Sequence, residues 1–448
     1  MSKAVTLKSA NVTNAGPLFF LDREPLGNLP LNIASELRLK SLVTLGSQPK
    51  CSFVGLLLID KQSYVFLPRG SNLDYGLDQI AYASKLLKAV DKYGRISRTN
   101  IDLMDEGLGT KYANKLRLIR YLLEDYRQNG IYQKRQKVNK LNYGREDWKR
   151  TVNKVVPSMG ISGQPIYLDV YGSRNRFYYD SDITLIHASV ILKLDKSFSW
   201  LVTGNLRTMA AELSEYSPPR GAKSLHLALI KGELNQTYSD RDITLLKSLA
   251  EYLKGEAGSD ATNMTIGLRD FHHCWEHMLS KVLYFTVALN DKLPAPAYFD
   301  QNGNVLTANS KSMRTDIIIH HKSSEKCAVV DAKYYAATSL QNAPGWGDIV
   351  KQLFYEKALR QLDIDWDIRN VFLFPGNSGY LSKALIRDRV KSQPHKNIFL
   401  DEFPPIYCHY VDPKAVVFDY VNGSKMKALT EELMGNSIGT QTHASSDT

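Results

Sequence analysis

Residues 314–333 read RTDIIIHHKSSEKCAVVDAK and contain two apolar runs separated by a polar stretch. The apolar runs are Ile317–Ile319 and Cys327–Val330. Apolar runs of this length on either side of a polar segment are typical of an antiparallel hairpin with two buried strands. The sequence therefore predicts a buried hairpin whose turn centres on residues 323–324.

Three charged side chains collect at one end of this predicted hairpin. Asp316 begins one strand and lies opposite Asp331 on the other, so their Cβ atoms are expected roughly 5 Å apart. Lys333 follows Asp331 by two residues and shares its face of the strand. Adjacent carboxylates repel unless a cation lies between them, and one or two carboxylates favour Mg²⁺, or Mn²⁺, over zinc. A lysine beside such a metal suits the hydrolysis of a phosphodiester.

A simpler interpretation is that the polar ends of the hairpin only mark where the strands leave the core, because a D…DxK pattern is short and common. The flanking segments favour the catalytic interpretation. Residues 346–360 and 271–283 have helical spacing, Glu276 lies within the second of these, and residues 370–374 form another apolar run. These segments predict a mixed sheet flanked by helices.

Five segments of this region resemble the PD-(D/E)xK nuclease superfamily, and more narrowly the McrC-like subunits of the McrBC and LlaJI restriction systems. They are WEHML, TDIII, VVDAKYY, DIVKQLFYEKAL and VFLFP. The resemblance implies that Asp316 and Asp331 bind metal together with Glu276 on the upstream helix. It also implies that Lys333 is the catalytic lysine and that Gln352 supports the site from the following helix.

The resemblance has two departures. Thr315 stands where the family has proline. Related nucleases place tyrosine four residues after the glutamine, whereas this chain has Glu356 there with Tyr355 beside it. The roles of both residues therefore stay open at this point.

The implied function is a metal-dependent DNA endonuclease subunit of a restriction, anti-phage system, with Mg²⁺ (Mn²⁺ is possible) as cofactor. The resemblance implies double-stranded DNA as substrate and an McrB-like AAA+ GTPase, expected as a hexameric ring, as partner. No nucleotide is expected on this chain, because Gly107–Lys111 (GLGTK) lacks the GK[ST] ending of a phosphate-binding loop. The alternatives are a self-contained type II-like restriction endonuclease and a non-catalytic DNA-binding or assembly protein with a nuclease-like fold.

The predicted fold class is α+β or α/β with several domains. Residues 1–160 are expected to form a partner-docking and basic region of β-hairpins and helices, and residues 161–262 a mainly helical region. Residues 263–434 are expected to form the PD-(D/E)xK nuclease domain after a small polar linker at residues 255–262. Residues 435–448 are expected to be a disordered tail.

The segment Lys111–Lys154 is strongly basic, with thirteen Lys and Arg against four Asp and Glu. It holds most of the excess charge of the chain, whose formal net charge is +11, and tyrosines are interleaved with it. Such a segment can bind a phosphate backbone or an acidic partner, or it is simply a solvated helix followed by a basic strand. The candidate DNA-binding residues are Lys134, Arg135, Lys137, Lys149 and Arg150.

Outside the nuclease-like region, the local patterns predict further elements. Residues 51–68 and 166–180 are expected to form hairpins, the second around Gly172–Asn175. Helices are expected over residues 77–92 and 112–128, and mainly helical structure from 182 to 254.

The composition is that of an ordinary globular protein, with 43% hydrophobic and 23% charged residues. The chain shows no signal-peptide pattern and no eighteen-residue apolar span, so no membrane association is expected. Four scattered cysteines without CxxC spacing fit reduced thiols in a cytoplasmic protein.

Overall fold

The structure is a computed structural model that describes residues 16–60, 62–73, 78–97, 110–255, 264–307, 312–321, 323, 325–363, 365–393 and 395–436. The strands are β1 (Leu18–Leu21), β2 (Val54–Ile59), β3 (Gln62–Leu67), β4 (Lys134–Leu141), β5 (Arg145–Glu146), β6 (Ser158–Met159), β7 (Pro165–Ile166), β8 (Tyr171–Tyr178), β9 (Met264–Leu268), β10 (Thr286–Val287), β11 (Ala297–Phe299), β12 (Val305–Thr307), β13 (Ile317–His321), β14 (Lys326–Ala332), β15 (Asp367–Pro375), β16 (Lys383–Ala384) and β17 (Ile406–Val411).

The α-helices are α1 (Leu31–Leu39), α2 (Asp78–Ser97), α3 (Thr110–Asn129), α4 (Trp148–Lys154), α5 (Asp182–Phe198), α6 (Trp200–Thr203), α7 (Lys223–Leu234), α8 (Asp240–Gly255), α9 (His272–Val282), α10 (Trp346–Leu359), α11 (Pro413–Asn422) and α12 (Lys427–Leu433). The architecture is mixed α+β with several sheets, as the sequence predicted at the level of class. Within the described residues, no helix combines the length and the apolar character that crossing a bilayer requires.

The chain divides into two compact units, the first formed by residues 1–113 and 262–448 and the second by residues 114–261. The first unit is discontinuous because β9 pairs with β2 and completes the sheet β1-β3-β2-β9. The boundary predicted at residue 160 has no counterpart in this division, because β4 pairs with β8 across it. Residues 256–262 of the predicted linker, residues 437–448 of the predicted tail, and residues 107–109 of the GLGTK segment lie outside the described residues.

The N-terminal sheet of the first unit is built on the predicted hairpin of residues 51–68, which is confirmed as β2 and β3 with Ile59 opposite Gln62. Every residue of β2 is buried, since its sequence VGLLLI offers no polar face. Gly55 permits the close approach of β9: its φ is +150°, and a Cβ atom there would lie 2.1 Å from the carbonyl oxygen of Ile266. The N-terminal region thus shares one core with the C-terminal part of the chain.

The second sheet of the first unit has the order β10-β13-β14-β15-β17-β16. Strands β13 and β14 form the predicted antiparallel hairpin, with Ile317 opposite Val330, while β14, β15 and β17 run parallel. Helix α10 packs on β14 and β15, and α9 packs on β13 and β14. The apolar runs in β14 and β15 follow from this cover, because strands buried on both faces carry few polar residues.

The second unit contains the three-stranded sheet β4-β8-β5 and the helices α5, α7 and α8. The helical content predicted for residues 182–254 is confirmed, but the hairpin predicted around Gly172–Asn175 is wrong. Residues 171–178 form one strand that pairs along its whole length with β4. Gly172 serves packing rather than a turn, because a Cβ atom there would lie 2.3 Å from the carbonyl oxygen of Tyr143.

Candidate active site

A polar cavity of about 70 Å³ lies between the hairpin β13–β14 and helix α10. Its walls are formed by Thr315, Asp316, Val329, Val330, Asp331, Lys333, Lys351, Gln352 and Tyr355. The hairpin register, extended by one pair beyond Ile317 and Val330, sets Asp316 opposite Asp331 as the sequence predicted. Three of the predicted site residues therefore reach the cavity from the hairpin, and Gln352 reaches it from the helix.

The carboxyl group of Asp316 lies at the cavity. Its Oδ2 accepts a hydrogen bond of 2.9 Å from the backbone N–H of Ala332 on the paired strand. Asp316 keeps an exposed surface, but protein atoms displace much of the water around its carboxyl group. This lost hydration, followed by the charges of Asp331 and Glu276, raises the pKa of Asp316 to about 7. The carboxylates of Asp316, Asp331 and Glu276 therefore repel one another within the site.

Lys333 is fixed between two carboxylates. Its Nζ lies 2.7 Å from Oδ2 of Asp331 and 2.7 Å from Oδ1 of Asp348, and its side chain is only 13% exposed. Burial acts to lower the pKa of Lys333, but Asp331 and Asp348 outweigh burial and raise that pKa above its ordinary value. The lysine is thus a charged ammonium with a defined position beside Asp331.

Glu276 comes from α9, on the margin of that helix's apolar stripe. The stripe buries Trp275, Met278 and Leu279, whereas the Glu276 side chain is 33% exposed. Burial and then the charge of Asp331 raise the pKa of Glu276 to about 7, against the lowering effect of Lys333. Glu276 therefore lies within electrostatic range of the residues at the hairpin end.

Gln352 is completely buried and joins two strands of the sheet. Its Nε2 donates to the carbonyl oxygen of Val329 on β14 at 2.6 Å and to that of Val371 on β15 at 3.4 Å. Its Oε1 is buried without a hydrogen-bond partner among the described residues. Gln352 thus anchors α10 to the sheet and leaves one unused acceptor beside the cavity.

Two residues of α10 belong to the site although the sequence reasoning did not assign them a role. Asp348 holds Lys333, and its Oδ2 accepts from the backbone N–H of Gly345 at 3.2 Å. Tyr355 lines the cavity and donates its hydroxyl to the carbonyl oxygen of Arg314 at 2.6 Å. The signal for both was their spacing, because positions 348, 352 and 355 lie on one face of a helix.

Glu356 stands at the position where related nucleases carry tyrosine, and it has a structural role in this chain. Glu356 is buried, accepts from Arg360 at 2.8 Å and also accepts a short hydrogen bond from the side-chain amide of Asn370. Of the two residues whose roles the sequence left open, Tyr355 lines the cavity and Glu356 does not.

The candidate DNA-binding residues lie on the second unit in different situations. The ammonium of Lys134 is paired with the largely buried carboxylate of Glu233 at 2.7 Å, so its charge is balanced inside the unit. Arg135 is exposed with its guanidinium 5.5 Å from the ring centroid of Phe177. Lys149 is exposed and Arg150 is half-buried. The side chain of Lys137 lies outside the described parts of the chain.

Strand β8 adds two cations that the sequence reasoning did not include. Arg174 and Arg176 are exposed, and their guanidinium groups lie 5.9 Å and 5.4 Å from the ring centroids of Tyr143 and Tyr178. Arginine over an aromatic face is held by the ring quadrupole while its N–H donors stay available. In the register of β4 and β8, Arg135 lies opposite Phe177 and therefore on the other face of the sheet from Arg174 and Arg176. We refer to Arg174 and Arg176 as the arginine–aromatic surface.

Comparison with protein families gives the class of this chain as a restriction endonuclease. Residues 53–385, about three quarters of the chain, match the LlaJI restriction endonuclease family. The chain therefore belongs to the LlaJI restriction endonuclease family, and the resemblance drawn from its motifs is confirmed at this level.

Individual proteins resemble the chain to different extents. The component YdjA of the type II restriction enzyme BsuMI from Bacillus subtilis (strain 168) is 26% identical over 355 residues, which cover 73% of this chain and 72% of YdjA. A chain of the refined half-complex from the tetradecameric assembly of Thermococcus gammatolerans McrB AAA+ hexamers with bound McrC aligns at 12% identity. That alignment covers 91% of this chain and 99% of the other, with a TM-score of 0.37. The cryo-EM structure of the Thermococcus gammatolerans McrBC complex gives a TM-score of 0.23 at 12% identity, covering 57% and 73% of the two chains.

Proposed function

We propose that this chain is the metal-dependent endonuclease subunit of its restriction system and hydrolyses phosphodiester bonds in DNA. The observation that carries the proposal is the placement of Lys333 beside Asp331, with Asp316 opposite, in one polar cavity. In this assignment the sheet β10-β13-β14-β15-β17-β16 with its flanking helices is the PD-(D/E)xK core. Gln352 supports the core by joining its two central strands.

The donor set suits a hard divalent cation. Asp316 and Asp331 offer carboxylate oxygens whose mutual repulsion a cation relieves, and Glu276 adds negative charge nearby. In the described parts of the chain, no group of three His, Cys, Asp or Glu side chains could hold a metal by itself. The ion that fits is therefore one that keeps most of its ligands as water, which is the behaviour of Mg²⁺ and, less strictly, Mn²⁺.

The residues of the chain divide the chemical work. A bound Mg²⁺ would supply Lewis acidity toward the phosphate and acidify water. Lys333 orients an attacking water and offsets charge that grows on the phosphate, because its ammonium is already fixed within a site of limited solvent access. The unused Oε1 of Gln352 is an acceptor beside the same cavity.

DNA binding is assigned to the second unit. The arginine–aromatic surface presents cations to a phosphate backbone, as do Arg135, Lys149 and Arg150, whereas Lys134 is excluded because Glu233 balances its charge. Such cations hold DNA at any sequence and bind it more weakly as salt rises. Sequence recognition is therefore expected from elsewhere in the assembly.

A partner protein is the second part of the proposal. YdjA is named as a component of its restriction enzyme, and the motif resemblance to McrC-like subunits implies an McrB-like AAA+ GTPase ring. Double-stranded DNA is the proposed substrate, and nucleotide binding is assigned to the partner. A self-contained type II-like enzyme would instead cut DNA at specific sites without any NTPase. A non-catalytic assembly protein would bind DNA without cutting it, whether alone or together with its partner.

The decisive experiment removes the two polar groups that touch each other at the hairpin end. In complex with its partner, the chain carrying Asp331→Ala or Lys333→Ala is expected to lose at least about a hundredfold in Mg²⁺-dependent cleavage. Each variant should retain its circular dichroism spectrum, because a half-buried polar group is removed rather than a packed core group. Lys357→Ala, an exposed lysine on α10, is the matched control. Undiminished cutting by either site variant would overturn the assignment.

A further inference from the structure

Tyr334, the residue that directly follows Lys333, is buried and bonded to the N-terminal sheet. Only 8% of its surface is exposed. Its hydroxyl oxygen accepts a hydrogen bond of 3.0 Å from the backbone N–H of Arg69, just after β3. Burial raises the pKa of Tyr334, and the carboxylate of Asp22, just after β1, lies close enough to the same hydroxyl to raise that pKa further. The phenol therefore joins the end of the catalytic hairpin to the ends of two parallel N-terminal strands.

Asp22 is a buried acid whose other contacts all belong to the N-terminal region. It is 3% exposed, and its Oδ1 accepts from the backbone N–H groups of Phe53 at 3.0 Å and Arg23 at 2.9 Å. Burial raises the pKa of Asp22 to about 6, against the lowering effect of Arg23. A carboxyl group held out of water in this way has a fixed position, because losing any of its donors would leave it unsatisfied.

The ring of Tyr334 contacts the helix that carries Glu276. Its centroid lies 5.4 Å from that of Phe271 and 6.2 Å from that of Trp275. Trp275 immediately precedes Glu276 and is fully buried. One side chain therefore touches α9 through its ring and the N-terminal sheet through its hydroxyl, while its backbone continues from Lys333.

A buried tyrosine often does no more than fill the core, but the phenol of Tyr334 has a more specific environment. Phenylalanine would satisfy the ring contacts equally well, whereas the hydroxyl requires both a donor and an acceptor inside the protein. The backbone N–H of Arg69 provides the donor, and the nearby carboxylate of Asp22 is the acceptor that the hydroxyl can use. Both residues are far from Tyr334 in sequence. The hydroxyl thus defines where the chain lies one residue after the catalytic lysine.

We propose that Tyr334 is a positioning residue through which Asp22 and Arg69 of the N-terminal region hold Lys333 and Glu276 in their working arrangement. This inference rests on the proposed nuclease function and adds a means by which the N-terminal sheet sets the geometry of the site. Residues that orient catalytic groups without touching substrate commonly affect turnover more than binding. The N-terminal sheet is therefore a part of the catalytic apparatus in this proposal.

The test is Tyr334→Phe compared with Tyr126→Phe in the full chain with its partner. Tyr126 is a matched control, because it is a buried tyrosine whose hydroxyl donates to a carboxylate, that of Glu212, at 2.9 Å. Tyr334→Phe is expected to lower kcat about tenfold with an unchanged KM for DNA. Both variants should lose similar thermal stability, and Tyr126→Phe should keep its kcat.

Two readouts do not depend on cleavage. Hydrogen exchange of the peptide spanning residues 326–335 should be faster in Tyr334→Phe and unchanged in Tyr126→Phe. Mn²⁺ affinity, measured by electron paramagnetic resonance on the free chain, should fall in Tyr334→Phe alone. Asp22→Asn keeps an acceptor for the phenol and should retain most of the kcat, whereas Asp22→Ala should behave like Tyr334→Phe.

The outcomes separate this inference from the proposed function. If the wild-type complex cuts DNA but Tyr334→Phe and Tyr126→Phe have equal kcat values, the positioning role is overturned while the nuclease stands. If the wild-type complex does not cut DNA, the proposed function fails, and equal hydrogen exchange in the two variants would overturn the structural link as well. A kcat loss in Asp22→Asn as large as in Asp22→Ala would also contradict the inference, because the retained acceptor would then be without effect.

Discussion

The hairpin end in the first unit and the arginine–aromatic surface in the second unit both concentrate charge, but they hold it differently. Lys333 is 13% exposed and has two carboxylates at 2.7 Å. The arginines of the surface are exposed, and the guanidinium groups of Arg174 and Arg176 lie 5.9 Å and 5.4 Å from aromatic ring centroids. The first arrangement fixes a cation in one place, and the second leaves its donors free.

Under the proposed function, this difference separates the residues that perform the chemistry from those that bind DNA. A catalytic group must be placed near its reacting atom before the reaction begins, because orientation supplies a large part of the rate. A phosphate backbone, by contrast, is bound by cations that can follow it in any register. The two regions therefore respond to different perturbations, the hairpin end to removal of a single ion-pair partner and the surface to a reduction in net charge.

A large effect, although smaller than that of Asp331→Ala or Lys333→Ala, is expected when Lys333 loses its ion pair with Asp348. Asp348→Asn keeps the hydrogen bond to the backbone N–H of Gly345 but removes the charge that faces Lys333. Cleavage should fall about 10- to 100-fold with DNA retention unchanged, because the change touches only the positioning of Lys333. The measurement is kcat and DNA retention of the assembled complex.

The control for Asp348→Asn is Asp412→Asn, which changes the same type of side chain at the first turn of α11. It should keep the rate of the wild-type complex. Equal losses in the two variants would show that helix capping, rather than the grip on Lys333, explains the effect.

A smaller effect is expected from reversing charge on the exposed surface. Arg174→Glu combined with Arg176→Glu should weaken DNA retention and lower the slope of log affinity against log salt by about 1 for each phosphate group that is no longer neutralised. Cleavage at saturating DNA should stay unchanged. Lys196→Glu, an exposed lysine on α5 in the same unit, is the control. If partner co-purification is abolished instead of DNA retention, the surface belongs to the partner.

The smallest effect concerns His187, a buried polar group of the second unit. Its Nδ1 accepts from the backbone N–H of Tyr132 at 3.0 Å, and burial lowers the pKa of His187 to about 4. Unfolded histidine titrates near pH 6.5, so the unfolded chain binds more protons than the folded chain between about pH 4 and 6.5. Stability should therefore fall with decreasing pH, by roughly 1 kcal/mol between about pH 7.5 and 6. Urea titrations of wild type and His187→Gln should show a weaker pH dependence in the variant, and identical slopes would contradict this account.

The sequence predicted most of the hairpin β13–β14 because its information is local. Apolar runs on both sides of a polar turn set the register, and the register alone places Asp316 opposite Asp331. Gln352 followed from its place on the next helix. Asp348 was missed because its partner, Lys333, lies on another element. The spacing of Asp348 and Gln352 places both on one face of the helix, but it does not indicate which strand residue Asp348 contacts.

Long-range pairing explains the errors. Gly172, Ser173 and Asn175 are common turn residues, yet β8 is a continuous strand because β4 supplies a partner along its whole length. The N-terminal region was expected to be separate from the nuclease domain, but β9 joins it to the C-terminal part through Gly55. Neither pairing is visible from local composition.

The position of β9 also sets an order for the synthesis of this protein. Strands β1 to β3 leave the ribosome before the whole of the second unit, and their fourth strand leaves it only afterwards. Distant strand pairing is slow to form and leaves edges open until it does. The second unit, which is contiguous in sequence, can fold while the earlier strands wait for their partner. A nascent chain released before residue 264 would keep the buried strand β2 as an open edge, which makes it a target for chaperones or aggregation.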